Sequence, residues 1–253
     1  MPDPRHAGLP GFVPEWSVPA GICAWQTHRG EGDMPYGGFN LGHHVGDDPA
    51  SVAQNRTRLL DVIPGEPVWL NQVHGTRVLS LPHQEDGPPP EADAVMTTEK
   101  GVVCAIMTAD CLPVLMTDRA GKVVGAAHAG WRGLAAGVLE ALVHDMTTQA
   151  RVKPDELLAW LGPAIGPDAF EVGAEVRDAF IALLPENETS FRPAAHGKWL
   201  ADLPALATKK LNQLGVVEIT PSNCCTYSQQ DRFYSYRRDQ VTGRMASMIW
   251  INP

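Results

Sequence analysis

Residues 91–133 read EADAVMTTEKGVVCAIMTADCLPVLMTDRAGKVVGAAHAGWRG and combine two β-prone runs with two abrupt stops. In the runs at 102–108 and 122–127 Val, Ile and Met recur, and each ends at a small polar or glycine-containing segment. The first ends at Ala109-Asp110-Cys111, before a Leu-Pro pair that reads as a turn. The second ends at His128-Ala129-Gly130, before a glycine-flanked helix start. Two strands whose ends present a cysteine and a histidine bring both side chains to one edge of a sheet, and that edge is the candidate site.

The remaining chain is read outward from this stretch. A chain of 253 residues with 44% hydrophobic residues can bury a large core, and we expect one domain over residues 1–253 with an irregular lead-in at 1–20. A net charge of −9 without a Lys/Arg run argues against a nucleic-acid surface, which needs clustered cations to displace counterions. A small-molecule substrate is expected instead. The amino terminus carries prolines and charges where a signal peptide needs an apolar segment, and no stretch approaches the roughly 20 apolar residues of a membrane span. The expectation is a cytoplasmic protein with no membrane partner. Its five cysteines are then expected as thiols or ligands rather than bridges.

Before the central stretch, 21–26 reads as a strand and Pro35-Tyr36-Gly37-Gly38 as a turn. Asp48 and Pro49 suit the N-cap and first turn of a helix running to about Leu60. On that helix Val52, Arg56, Leu59 and Leu60 share a stripe, so Arg56 lies among apolar residues. Either its stem snorkels beside a carboxylate partner, or it binds an anion. Residues 68–70 read as a strand leading into Asn71-Gln72-Val73-His74-Gly75, and 81–92 as a surface loop. Asn40 reads either as a turn residue or as a ligand contact.

After the central stretch, Leu134, Val138, Leu142 and Met146 have helical spacing, which predicts a helix over 133–146. A strand at 157–161, a helix at 172–184, a helix framed by Asp202 and Gly215 and a strand at 216–220 follow. The segments 232–238 and 246–251 read as arms of a closing hairpin, which would place Arg237 on a strand. Strands and helices alternate imperfectly, so the fold class is mixed α/β (α+β), with sheets and helices in layers.

His74, Cys111 and His128 supply two imidazoles and a thiolate, a donor set typical of zinc. Three protein ligands leave a fourth position open, the catalytic rather than the structural arrangement. Copper binds the same donor types more tightly in the divalent series. A four-copper laccase would need many histidines in His-x-His runs, and none occurs here. Cys111 activated by His128 is the competing reading, a cysteine nucleophile rather than a ligand. Asp110 is a candidate acid/base group or the cap of the turn that orients Cys111, and Glu171 is a second carboxylate near by motif.

The segments NQVHG at 71–75, TADCLPV at 108–114, HAGWRG at 128–133, LGPAIG at 161–166 and FYSYRRDQVTGR at 233–244 resemble the YfiH-type proteins, also called the laccase-domain or polyphenol oxidoreductase family. The resemblance runs from FNLGHHVGDD to the carboxyl end. It implies an α/β/β/α layered fold and a metal held by His74, Cys111 and His128. For function it implies a zinc-dependent purine nucleoside phosphorylase acting on adenosine, inosine or methylthioadenosine, with adenosine deaminase activity. The alternatives it carries are a copper polyphenol oxidase, an amidase editing peptidoglycan precursors, and a metal-binding protein without catalysis. Phosphorolysis requires an anion pocket, for which Arg56, Arg237 and Asn40 are the candidates.

Overall fold

Burial on both faces of the central strands sets the architecture. In the computed structural model, which describes residues 8–32, 34–83 and 87–253, Val103–Thr108 is buried at every position. Cys104 and Ile106 pack into one apolar cluster while Val103, Ala105 and Met107 pack into another. A strand covered on both faces must read as a continuous apolar run, and it does.

Along the chain the elements are β1 Gly11–Phe12, β2 Ile22–Thr27, α1 Pro49–Leu59, β3 Val78–Leu81, β4 Ala94–Thr97, β5 Val103–Thr108, β6 Leu112–Asp118 and β7 Val124–Ala129. Then come α2 Trp131–Ala136, α3 Val138–Ala150, β8 Leu157–Leu161, β9 Glu171–Val172, α4 Ala174–Leu183, β10 Phe191–Pro193 and β11 Trp199–Ala201. The chain closes with α5 Leu203–Gln213, β12 Glu218–Pro221, α6 Tyr236–Asp239 and β13 Met245–Ile251. Three sheets form, in the orders β1-β2-β13-β5, β12-β8-β6-β7-β4-β3 and β10-β11-β9. The first is antiparallel throughout, whereas the six-stranded sheet is mixed, with parallel pairs β12/β8 and β3/β4.

The two larger sheets face each other through Cys104, Ile106, Leu115, Val124, Ala126, Trp160 and Ile249. Leu59 at the end of α1 joins the cluster on the outer face of the four-stranded sheet. Leu134, Leu142, Val176 and Leu206, from α2 to α5, cover the outer face of the six-stranded sheet. The result is the expected α/β/β/α layering. No helix among the described residues is long and apolar enough to cross a membrane.

The helix starts follow the sequence: Asp48 accepts from the amides of Ala50 and Ser51, and Asp202 from that of Ala205. Four expectations fail for identifiable reasons. Leu112-Pro113 opens β6 rather than a turn, because pairing with β8 begins only at Val114, where the missing proline N–H costs no ladder bond. The helix over 133–146 is broken by Gly137, whose φ of 106° ends α2 and restarts the chain as α3. Residues 68–70 form no strand, and Asn71 makes one bridge, to Glu91. The closing hairpin does not exist: β13 is a central strand between β2 and β5, and Arg237 sits on the short helix α6. Of the loop at 81–92, residues 84–86 lie outside the described residues.

Candidate metal centre and its cleft

One buried carboxylate organises the site. Asp93, fully buried just before β4, accepts the backbone amides of Val73 (3.1 Å), His74 (2.9 Å) and Gly75 (2.7 Å). Its Oδ1 also lies 2.8 Å from Nδ1 of His128. Asp93 therefore folds the loop that carries His74, whose φ is 61°, and turns His128 so that its other nitrogen, Nε2, is available. Gln72 ties the same loop to β5, exchanging two hydrogen bonds with the Met107 backbone at 2.8 and 2.9 Å. Four residues later β5 delivers Cys111.

His74, Cys111 and His128 come together with their donor atoms all within 4.8 Å of one another, the single such group of three among the described residues. Cys111 Sγ lies 3.7 Å from His74 Nε2. A tetrahedral zinc with Zn–S of about 2.3 Å and Zn–N of about 2.0 Å separates sulfur and nitrogen by about 3.5 Å. The donors thus already span a zinc ion and need only small adjustments. Close packing protects this arrangement, because a Cβ placed on Gly130 would sit 2.8 Å from Cys111 Sγ and 3.0 Å from His74 Cδ2.

The electrostatics suit deprotonated sulfur. Burial alone would raise the Cys111 thiol, but the charge and hydrogen bonding of His128 and His74 outweigh it and bring it down to about 6. Burial likewise opposes the charged form of His128, and contact with Cys111 and Asp93 overrides it, raising His128 to about 9. The Asp93 carboxyl resists its own burial and is held below its ordinary value by His128 and the loop amides. Both shifts favour a thiolate beside an imidazolium, and a cation bound through both donors would displace the imidazolium proton.

The donors open into a cleft of about 440 Å³, also lined by Gln72, Thr108, Phe170, Tyr236 and the arginines 132, 237 and 244. Asp110 borders this cleft with both oxygens committed: Thr226 Oγ donates to one at 2.6 Å, and Ser235 Oγ and the Arg237 amide donate to the other at 3.0 and 2.7 Å. It holds the turn before Cys111, its own φ being 90°. Arg237 reaches the cleft from α6, donating to the Glu171 carbonyl at 2.8 Å. The Glu171 side chain points elsewhere, to Lys198.

Arg56 and Asn40 lie outside the cleft lining. Both Nε and Nη2 of Arg56 donate to the Leu41 carbonyl, at 2.9 and 2.8 Å, and its guanidinium lies 4.1 Å from the Trp69 ring centroid. The arginine in the apolar stripe of α1 thus finds a carbonyl and an aromatic face, and it is not among the residues lining the cleft. Asn40, buried, donates to Gly42 O and Asp47 and accepts the amides of Gly42 and Arg244. It is a turn residue that also steadies Arg244. None of the five cysteines is bridged, and burial pushes the mid-strand thiol of Cys104 upward. Asp93, Gln72 and Arg244 escaped the sequence reading; for Asp93 a carboxylate directly before the apolar run 94–97 was the available signal.

A layered α/β fold with one His/Cys/His group facing a cleft defines a metal-binding protein of the laccase-domain class. The chain belongs to the family described as multi-copper polyphenol oxidoreductase laccase, whose profile matches residues 22–252. It is 50% identical over 245 residues to the purine nucleoside phosphorylase YfiH of Escherichia coli, covering 95% of this chain and 98% of that one. It is 48% identical over 244 residues to a purine nucleoside phosphorylase of Haemophilus influenzae, with coverage of 94% and 97%. A crystal structure of a Neisseria meningitidis protein superposes with a TM-score of 0.86 at 45% identity, covering 96% of this chain and 99% of that one. YlmD from Geobacillus stearothermophilus superposes with a TM-score of 0.84 at 32% identity, with coverage of 92% and 93%.

Proposed function

We propose that the chain is a zinc-dependent purine nucleoside phosphorylase that also deaminates adenosine. The observation that carries the reading is the open three-donor group, with donor atoms within 4.8 Å, facing a cleft lined by both aromatic and guanidinium side chains. Relatives named purine nucleoside phosphorylase at about half identity along nearly the whole chain support it.

His74, Cys111 and His128 would hold the metal, with Asp93 fixing two of the three ligands. When bound, zinc supplies Lewis acidity at its open fourth position. Phe170 and Tyr236 offer aromatic faces against which a planar purine packs. Arginines of the cleft neutralise phosphate and hold it in line with the sugar, so that rate acceleration comes mainly from positioning and charge. In phosphorolysis a phosphate oxygen forms the new bond to the anomeric carbon, the glycosidic C–N bond breaks, and the base leaves with its electron pair and takes up a proton. In deamination water adds at the amino-bearing ring carbon and ammonia leaves.

The test is a product assay with zinc-loaded protein, adenosine, inosine and a phenol, each with and without phosphate. Hypoxanthine and ribose 1-phosphate from inosine only when phosphate is present support the reading. Oxidised phenol with no nucleoside turnover overturns it. The family description implies several coppers, yet one three-donor group exists among the described residues, which favours a single ion.

A second reading rests on the row Asp93, His128, Cys111. The carboxylate orients the imidazole at 2.8 Å and the imidazole contacts the thiol, the arrangement of a cysteine nucleophile. In that case the metal-free protein would cleave amides through an acyl-thiol intermediate, and mass spectrometry of a reacted sample would find the acyl group on Cys111.

A further inference from the structure

Arg244 is a half-buried guanidinium left without a counter-ion beside the metal-type donors. Met245, the first residue of β13, pairs with Thr108, the last residue of β5, so Arg244 sits against the turn 109–111 that carries Cys111. Asp110 and Cys111 are acidic side chains near enough to act on its charge. Among the described residues no carboxylate lies within ion-pair distance of it, and Asp110 is turned instead toward Thr226, Ser235 and the Arg237 amide.

The guanidinium is also held in place. Nη1 donates to the carbonyls of Thr242 and Gly243 at 3.1 and 3.0 Å, and the backbone amide donates to Asn40 at 2.8 Å. A Cβ at Gly243 would lie 2.6 Å from the Tyr234 ring and 2.9 Å from Asn40 Cβ, so this segment has little room to shift. Nε and Nη2 make no hydrogen bond among the described residues. Thr108, 2% exposed and lining the same cleft, has a hydroxyl without a partner. A fixed fork with free donors, an orphan hydroxyl and no carboxylate is the chemistry of an oxyanion site.

We propose that Arg244 anchors an oxyanion subsite between the Cys111 turn and the start of β13, and that its ligand is orthophosphate. Naming orthophosphate rests on the phosphorylase reading above; the oxyanion subsite itself rests only on the geometry.

The experiment titrates zinc-loaded full-length protein with orthophosphate by calorimetry, and with a purine nucleoside monophosphate as a second probe. It then measures inosine phosphorolysis against phosphate concentration. Arg244→Ala, Arg244→Lys and the surface charge control Arg119→Ala are compared at equal zinc content. Loss of the charged fork is expected to weaken orthophosphate binding, and to raise the phosphate KM, by about 10- to 100-fold in Arg244→Ala. Arg244→Lys should recover part of the loss, and Arg119→Ala should change neither quantity. Unchanged orthophosphate affinity in both Arg244 variants overturns the subsite, whether or not the wild type phosphorolyses inosine. Binding of the nucleotide but not of orthophosphate overturns the assignment of the ligand. Arg244-dependent orthophosphate binding without any phosphorolysis by the wild type supports the subsite and refutes the phosphorylase reading instead. Should Arg244→Ala fold poorly, Arg244→Lys decides alone through the same two measurements.

Discussion

Replacing Asp93 by asparagine probes the link between fold and metal most directly. Oδ2 accepts the amides of Val73 and Gly75, and Oδ1 faces the His74 amide and His128 Nδ1. An asparagine amide has one oxygen, so whichever way it turns, its NH2 opposes two donors in a fully buried position. Each hydrogen bond to a charged group contributes about 1.5 to 3 kcal/mol. With relaxation of the loop, the net loss should be about 3 kcal/mol. For a chain of this size that lowers the midpoint of thermal unfolding by about 6 to 12 °C. Releasing the His74 loop and the His128 ring should also weaken zinc binding by about 10- to 100-fold, as for other outer-sphere partners of metal ligands. Competition against a chromophoric chelator reads the affinity, and calorimetry of chelator-treated protein reads the stability. Zinc affinity within twofold of wild type, with an unfolding midpoint shifted by less than about 2 °C, would refute the reasoning.

The other predictions are quicker to check. Cys111→Ala or His128→Ala removes one of three donors, so metal content by elemental analysis and nucleoside turnover should fall together; full occupancy in both variants contradicts the ligand assignment, and lost turnover with retained metal favours the nucleophile. Iodoacetamide should alkylate Cys111 in chelator-treated protein and spare it after zinc is restored, because the thiol is held near 6 by its histidines but is not a free nucleophile once it is a ligand; equal labelling of both samples, read by peptide mass spectrometry, goes against the metal site. Gly130→Ala introduces a methyl 2.8 Å from Cys111 Sγ, so zinc affinity should drop while the far-ultraviolet dichroism spectrum stays unchanged. Arg56→Ala should lower stability by about 1 to 3 kcal/mol through the lost Leu41 and Trp69 contacts, and a selective rise in the phosphate requirement would return Arg56 to the phosphate site.

What was legible in the sequence was mostly local. The caps Asp48 and Asp202 depend on amides two or three residues away, so residue type and spacing suffice to place them. The buried strands β5 and β8 announce themselves as apolar runs because they are covered on both faces. The three metal-type donors were visible as a residue set at segment ends, and the resemblance carried by NQVHG, TADC and HAGW singled them out. Their convergence within 4.8 Å, however, is a property of the sheet.

Tertiary structure decided whatever depends on a distant partner. Pro113 sits in a strand because β8 pairs only from the next residue onward, which no local signal reveals. Residues 245–251 became a central strand because β2 and β5 flank them, although the sequence pattern suits an edge hairpin equally well. Arg56 and Arg244 look alike as sequence, yet one meets a carbonyl and an indole while the other is left facing the metal-type cleft. A charged side chain carries no record of its eventual counter-charge, since that is set by which residues the packed sheets bring beside it.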